Sequence, residues 1–378
     1  MLTSILTYSK DYIQRLWDKT SQPFVFLSYY ERMIFLLLCG LEYIYRVIFF
    51  LVCWYKKITR SNRLHVPVIS VGNIATGGTG KSVAVKFLTQ ILKDNNVAII
   101  SRGYARLLSD TIIVCDGKKI LATVDQAGDE AYMLAQETCA SIVVGNSRFF
   151  SWQVLKKYNQ DANTRTKVVV LDDGYQNFDL VKNLEIVLVD AFLPFGNGHC
   201  LPAGPLREGS LSRAHIVMIT RADLVDSRAL KVTYQKLANQ APRALLCATA
   251  HQVESLFDGK SGALIKPAYK QKIIIVSAIA NNAAFLHTVV SLGFEVLEAI
   301  ALHDHHRYTE YDAAIIISIL RKYAVSAFIT TAKDWYKLQT LVFPDGVQCI
   351  VVRVGIKFLY QYEYDSFKVR IQQVLQNN

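Results

Sequence analysis

The sequence predicts an α/β fold, and three observations carry that reading. Short β-branched runs alternate with helical patterns from residue 66 onward, the rhythm of a mostly parallel sheet with helices on both faces. One run leads through a glycine-rich loop into a helix, and another ends in two adjacent carboxylates. The expected architecture is a P-loop-containing α/β/α sandwich with a second α/β domain, preceded by a membrane-associated N-terminal helix. The expected division is 1–60 for the anchor region, 61–225 for the nucleotide-binding domain and 226–378 for the C-terminal α/β domain.

The chain of 378 residues is long enough for two ordinary domains. Hydrophobic residues make up 52% and charged residues 19%, an apolar balance that predicts contact with lipid. A formal net charge of +11 suits nucleic acid, anionic lipid or phosphorylated substrates. No aromatic RNP-like strand, zinc-finger spacing or long Lys/Arg block occurs, so nucleic acid is not expected as a partner. Seven cysteines, an odd number with no Cys-x-x-Cys, predict a reducing compartment and no cysteine metal site.

Residues 33–54 are nearly continuous apolar sequence. As a helix this segment is roughly 33 Å long, about the hydrocarbon thickness of a bilayer. Glu42 and Arg46 interrupt it at i, i+4 spacing, where they can neutralise each other. Each charge still costs on the order of 2.5–3.5 kcal/mol at mid-bilayer. A membrane-inserted anchor, spanning or half-sunk, is expected; a helix buried against protein is the alternative. A cleaved signal peptide is disfavoured because no small-residue cleavage site follows. Lys56, Lys57, Arg60 and Arg63 fit a flank facing anionic lipid. Phe24-Val-Phe-Leu27 and Tyr29-Tyr30 add aromatic contact at the interface.

The apolar run 66–71 opens into Gly72-Asn-Ile-Ala-Thr-Gly-Gly-Thr-Gly-Lys-Ser82, followed by Ala84, Phe87, Leu88 and Ile91 at helical spacing. Strand, glycine-rich loop and helix form the physical design of a nucleotide phosphate site. The loop residues Ala75, Thr76, Gly77, Gly78, Thr79, Gly80, Lys81 and Ser82 turn backbone N–H groups around the phosphates, and the helix N-terminus adds positive potential. Lys81 can reach the β- and γ-phosphates of a bound nucleotide, and the Ser82 hydroxyl can ligate Mg²⁺. The strict pattern wants Gly where Ala75 stands, and Ala is the mildest replacement.

Further strands are expected at 97–100, 141–144, 167–171, 185–189 and 215–220, and a second set at 245–249, 272–276, 327–330 and 347–352. Helices are expected at 282–292 and 311–323. The boundary between the two sets falls near residues 223–240, a largely polar stretch.

The run ending in Asp172-Asp173-Gly-Tyr-Gln176 places carboxylates at a strand end, where they hold Mg²⁺ directly or through water. An Asp-Gly turn capping the strand is the plain alternative. Asp190 ends another apolar strand and is a weaker metal candidate. Gly128-Asp129-Glu130 precedes a helical pattern, and on local grounds Asp129 is a helix N-cap. Arg102 and Arg148 follow strands, where guanidinium groups suit phosphate recognition or stand in solvent. Phe195–Glu208 is a Gly/Pro-rich loop ending in Arg207 and Glu208, of a length that is often functional. His303, His305 and His306 cluster, but neighbouring positions rarely converge on one metal; a histidine paired with a carboxylate base is the better reading.

Together these motifs resemble the tetraacyldisaccharide 4′-kinase family, the lipid A 4′-kinases. The carrying residues are Val71-Gly-Asn-Ile-Ala-Thr-Gly-Gly-Thr-Gly-Lys-Ser82, Ser101-Arg-Gly-Tyr104, Gly128-Asp-Glu130, Asp172-Asp-Gly-Tyr-Gln176, Phe195-Gly-Asn-Gly198, Leu201-Pro-Ala-Gly-Pro-Leu-Arg-Glu208 and Asp304-His305. They come in the family's order. The resemblance implies that ATP phosphorylates the 4′-hydroxyl of a tetraacyldisaccharide 1-phosphate, a lipid A precursor, at the cytoplasmic face of the bacterial inner membrane. It implies that Asp129 takes the hydroxyl proton with His305 as its partner, overturning the helix-cap reading. It further implies that Lys81, Arg102, Arg148 and Arg207 neutralise phosphate charge, that Gln176 serves the nucleotide, and that Glu208 joins Ser82, Asp172 and Asp173 around Mg²⁺. Departures are Ser82 where Thr is common, Val83 where Pro is common, and Tyr175 where Phe or Leu is common. A GTPase is disfavoured because Thr220-Arg-Ala-Asp223 lacks the Asn and Lys of the guanine signature. A non-catalytic nucleotide-gated scaffold would tolerate loss of Asp129 and His305 but not of the phosphate loop.

Overall fold

The computed structural model describes residues 12–21, 27–59, 62–104, 106, 109–161, 165–267 and 269–376. Phe24, Val25, Phe26, Arg60 and the side chain of Lys57, all counted above as lipid-facing, lie outside the described residues. In chain order the elements begin with α1 (12–20), α2 (Tyr29–Thr59), β1 (Val68–Asn73), α3 (Lys81–Ile91), β2 (Val97–Ser101), β3 (Ile112–Asp116), α4 (Val124–Ala127) and α5 (Asp129–Glu137). There follow β4 (Ser141–Val144), α6 (Arg148–Asp161), β5 (Val168–Asp172), β6 (Leu184–Asp190), β7 (Ile216–Thr220), α7 (Ser227–Gln240), β8 (Leu245–Asp258) and β9 (Leu264–Ile265). The chain closes with β10 (Lys272–Ser277), α8 (Asn282–Ser291), β11 (Glu295–Ala301), α9 (Glu310–Lys322), β12 (Ala327–Thr331), α10 (Ala332–Leu338), β13 (Gln348–Phe358) and α11 (Gln361–Gln376).

These elements pack as two compact units. The first comprises Met1–Lys81, Leu171–Ala250 and Phe358–Asn378, and the second Ser82–Val170 and His251–Lys357. In the first unit β1 pairs with β6, β6 with β7, and β7 with the start of β8, all in parallel. Every residue of β1 and β7 is buried, as expected of strands in a sheet covered on both faces. Val187, Val189, Val217 and Ile219 of this sheet share a core with Leu230 and Leu237 of α7. The polar stretch read as a boundary is therefore a helix. Asp226 caps it, accepting from the Ala229 N–H at 2.8 Å. Leu230, Thr233 and Leu237 supply its buried stripe; a stripe this narrow suffices to dock a helix whose other faces are polar.

In the second unit β2 and β4 pair in parallel and β3 joins β4 antiparallel. The order β11-β10-β12-β13 is parallel throughout, and the short β9 runs antiparallel to β8. The expected strands appear with ends shifted by a few residues, β8 and β13 being much longer. Neither β3 nor β11 was legible. Both are half-buried strands, and β11 carries Glu295 and Glu298 with alanines in place of a β-branched run. Ile274, Val276, Ile316, Leu320, Phe328 and Trp335 form the core beneath α9 and α10.

One buried charge anchors α3 in this unit. The Lys86 ammonium meets Glu137 at 2.9 Å and Glu254 at 2.7 Å and donates to the Val354 carbonyl at 3.2 Å. Arg353 reaches the other oxygen of Glu137 at 3.3 Å. Lys86→Met removes the cation between two carboxylates and is expected to destabilise the fold by about 3–5 kcal/mol. The urea midpoint measures it; a midpoint equal to wild type would show that the network contributes no stability.

Candidate active site

The phosphate loop is braced from behind. Asn73, buried at the end of β1, donates from Nδ2 to the Ala75 carbonyl at 2.6 Å and to Thr79 Oγ1 at 3.0 Å. The Thr76 N–H donates to the Pro205 carbonyl at 2.8 Å, and the Arg207 N–H to the Ile74 carbonyl at 2.7 Å. Among the described residues, the non-glycines with positive φ are Asp173, Arg221, Lys270, His305 and Ala324. Ala75 is not one of them, so the departure from the strict pattern carries no backbone strain. Gly77 and Gly78 are exposed, and α3 starts at Lys81, which puts the positive end of a helix at the end of the loop.

Beside the loop stands the double-aspartate turn. Asp172, 1% exposed, ends β5. Asp173 follows at φ +51°, a left-handed conformation that aspartate tolerates better than most residues. Arg207 Nη1 donates to both Asp173 oxygens, at 3.0 and 2.8 Å, and Lys81 Nζ lies 3.6 Å away. Asp173 thus gathers two cations. Gln176 Nε2 donates to the Asn73 carbonyl at 2.9 Å. Gly72 closes the other side: a Cβ there would lie 2.7 Å from Tyr175 N and Cβ, so only glycine lets β1 approach the turn.

Two residues that no local motif marks hold this turn in place. Lys182 Nζ donates to the carbonyls of Gly174 and Tyr175 at 3.1 and 3.2 Å and pairs with Glu185 at 2.5 Å. Arg213 donates to the Tyr175 carbonyl at 3.0 Å with its guanidinium 4.3 Å over the Tyr175 ring. Its Nη1 and Nη2 also reach Glu208 at 2.7 and 3.1 Å. Burial pushes the Glu208 carboxyl up, and the Arg213 bonds only partly offset it. Asp190, the weaker metal candidate, is paired with Arg221.

The second unit builds a separate cluster around Asp129. Gly128 holds the N-cap of α5 at φ +84°, where a Cβ would lie 2.6 Å from the Tyr104 carbonyl. Asp129 is therefore the first helical residue, and no side-chain cap bond forms. Its Oδ2 receives His305 Nδ1 and Lys337 Nζ, each at 3.2 Å. Burial raises the Asp129 carboxyl, but the His305 hydrogen bond and the Lys337 and Lys333 charges prevail and hold it below the ordinary aspartate value. His305 sits at φ +63° with its ring 5.0 Å from that of Tyr104. A non-glycine residue held there costs on the order of 1–3 kcal/mol, strain of a kind that gathers at functional sites. The other histidines diverge: His306 bonds Asp312 at 3.1 Å, and His303 packs edge-on against His306. Arg102 is exposed just beyond β2, whereas Arg148 is 3% exposed at the start of α6 and donates to the Gly145 carbonyl at 3.0 Å. Ser82 is the second residue of α3.

The sequence profile of the tetraacyldisaccharide-1-P 4′-kinases matches residues 34–376. The chain belongs to that family. Among its curated relatives, tetraacyldisaccharide 4′-kinases, the protein of Desulfotalea psychrophila is 33% identical over 74% of this chain and 81% of its own length. That of Desulfatibacillum aliphaticivorans is 32% identical over 88% of this chain and 90% of its own. A crystal structure of LpxK from Aquifex aeolicus in complex with ATP superposes with a TM-score of 0.67 at 25% identity, covering 89% of this chain and 98% of that one. The enzyme is a kinase.

This kinase also shows what motif reading misses. Lys337 lies 208 residues beyond Asp129 and reaches it because α10 packs on α5. It further donates to the His306 carbonyl at 2.9 Å. Lys337→Met removes one of the charges that lower Asp129, so the carboxyl rises toward or above its ordinary value. With Asp129 as the base that the family resemblance implies, the acid limb of the pH profile of kcat/KM is expected to move to higher pH; a limb that stays or moves to lower pH contradicts that role. The Ser82 hydroxyl and the Asp172 and Asp173 carboxylates are hard oxygen donors, the chemistry that Mg²⁺ takes.

Proposed function

We propose that this kinase transfers the γ-phosphate of ATP to the 4′-hydroxyl of a tetraacyldisaccharide 1-phosphate, the family's reaction in lipid A synthesis. The observation that carries the residue assignment is Asp129: a carboxylate at the first turn of a helix, relieved of capping by Gly128 and held ionised by His305 and Lys337. An ionised carboxylate with a histidine at hydrogen-bond distance is equipped to accept a hydroxyl proton. Asp129 takes that proton as the 4′-oxygen bonds to the γ-phosphorus and the bond to the departing ADP breaks. His305 orients Asp129 and shares the charge change.

Lys81 and the loop residues 75–82 hold the phosphates, Gln176 lines the nucleotide side, and Arg102, Arg148 and Arg207 offset developing negative charge. Mg²⁺ would be held by Ser82 with Asp172 or Asp173, and Glu208, fixed by Arg213, would order its surroundings. When bound, the ion supplies charge neutralisation at the phosphates. Residues 61–225 serve the nucleotide and 226–378 complete the acceptor machinery through His305.

We further place the enzyme on the cytoplasmic face of the bacterial inner membrane. α2 is long and apolar enough to cross a membrane over Tyr29–Lys56, and only 11% of its most apolar 18 residues are buried. Met33, Leu37, Leu41, Ile44, Ile48 and Leu51 are exposed on it, which suits a lipid surface. The test is partition of label from γ-labelled ATP with the acceptor in mixed micelles. Label should enter the organic phase with Mg²⁺ and stay in water with excess chelator; label found only in inorganic phosphate contradicts the reading.

A further inference from the structure

Glu42 is the anomaly of α2. A carboxylate in an otherwise lipid-like helix is 5% exposed, a costly position unless every oxygen is satisfied. It is satisfied by the loop that carries Arg207. Oε1 accepts from the Cys200 N–H at 2.7 Å and from Arg46 Nε at 2.8 Å, and Oε2 lies 2.7 Å from His199 Nδ1. Cys39, Glu42 and His199 bring potential ligand atoms within 4.8 Å of one another. Because Glu42 already serves a backbone N–H and a guanidinium, the cluster is a latch and not a metal centre. One helical turn on, Tyr45 donates its hydroxyl to the Arg207 carbonyl at 2.8 Å. One turn before, Leu38 packs against Leu16 and Ala203. Positions 38, 42 and 45 thus form one stripe of α2 that faces the loop. The stretch is pinned from α1 as well, by Trp17 Nε1 on the Pro202 carbonyl at 3.0 Å and by Asn197 Nδ2 on Thr20 Oγ1 at 2.8 Å.

We propose that α2 is a structural part of the phosphate-handling site, with Tyr45 and Glu42 as positioning residues for Arg207. The main chain of Arg207 is held at both ends: its N–H by the Ile74 carbonyl of the phosphate loop and its carbonyl by Tyr45. With the backbone fixed on both sides, the guanidinium stays on Asp173 at 3.0 and 2.8 Å. The same helix that meets lipid with its exposed faces therefore sets the aim of a phosphate-neutralising arginine with its buried stripe. This inference rests on the proposed role of Arg207, and its test separates the two.

The full chain is assayed in mixed micelles as wild type, Tyr45→Phe, Glu42→Gln, Arg207→Ala and the double variant Tyr45→Phe/Arg207→Ala. Tyr45→Phe deletes one hydroxyl and should lower kcat roughly three- to tenfold, the worth of one hydrogen bond, leaving KM for ATP and vesicle flotation unchanged. Glu42→Gln, which keeps the shape but not the charge, should act in the same direction. In the Arg207→Ala background, Tyr45→Phe should add nothing. Wild-type kcat in Tyr45→Phe beside a large loss in Arg207→Ala overturns the latch, as does an additive loss in the double variant. Wild-type kcat in Arg207→Ala overturns the role of Arg207 itself and the latch with it.

Discussion

Asp129→Asn is expected to lower kcat by about 10²–10⁴-fold, the range for loss of a positioned general base. The substitution keeps the size of the side chain and a group for His305 and Lys337 to approach, so folding should persist. KM for ATP should stay within about twofold, because the interaction lost is one made in the transition state. Steady-state kinetics at saturating ATP and lipid reads both values. The expectation follows from a specific contrast. A helix-capping aspartate would spend its carboxylate on backbone N–H groups, and its loss would cost stability first. Here Gly128 is the cap, and the Asp129 carboxylate is turned to His305 and Lys337. Near-wild-type turnover in Asp129→Asn, or a fall in thermal stability with no fall in kcat, would remove Asp129 from the chemistry.

Lys81→Met is the second large effect. A loss of kcat on the order of 10²–10³-fold is expected, as for removal of one preorganised donor from a developing charge, with KM for ATP raised. Lys81 starts α3 and stands 3.6 Å from Asp173, which Arg207 also contacts. Deleting the lysine removes one of the two cations gathered at Asp173 and leaves the Arg207 pair in place. Arginine at this position should not rescue, since the guanidinium fork differs in shape and reach from an ammonium. Titration of a fluorescent ATP analogue checks the binding arm, and unchanged affinity together with unchanged kcat would contradict the assignment.

The parts of the site that were legible are those written in consecutive residues. Strand, loop and helix at Val68–Ile91 can be read without tertiary knowledge, because the backbone geometry that holds phosphate is local. The Asp172-Asp173 turn is local in the same way, although Gly72 and Tyr175 show that its shape depends on β1 as well. Glu42 and Arg46 were foreseen as mutually neutralising and do pair. No local pattern marks the second bond of Glu42, which accepts from the Cys200 N–H 158 residues away. Lys337, Lys182 and Arg213 were missed for a common reason. A lone cation in a helix or loop carries no pattern, and its role appears only once a distant carboxylate or carbonyl is packed beside it. Local polarity hides α7, because its buried stripe is only Leu230, Thr233 and Leu237.

The position of the transferred phosphate tests the central claim most directly. The full-length kinase is incubated with ATP, Mg²⁺ and a tetraacyldisaccharide 1-phosphate in phospholipid micelles, and the lipid product is read by phosphorus–proton correlation in nuclear magnetic resonance. The account predicts a bisphosphate whose new phosphate sits on the 4′-oxygen, formed with one ADP per lipid. Phosphate on any other hydroxyl, or ADP formed with no phosphorylated lipid, would contradict it.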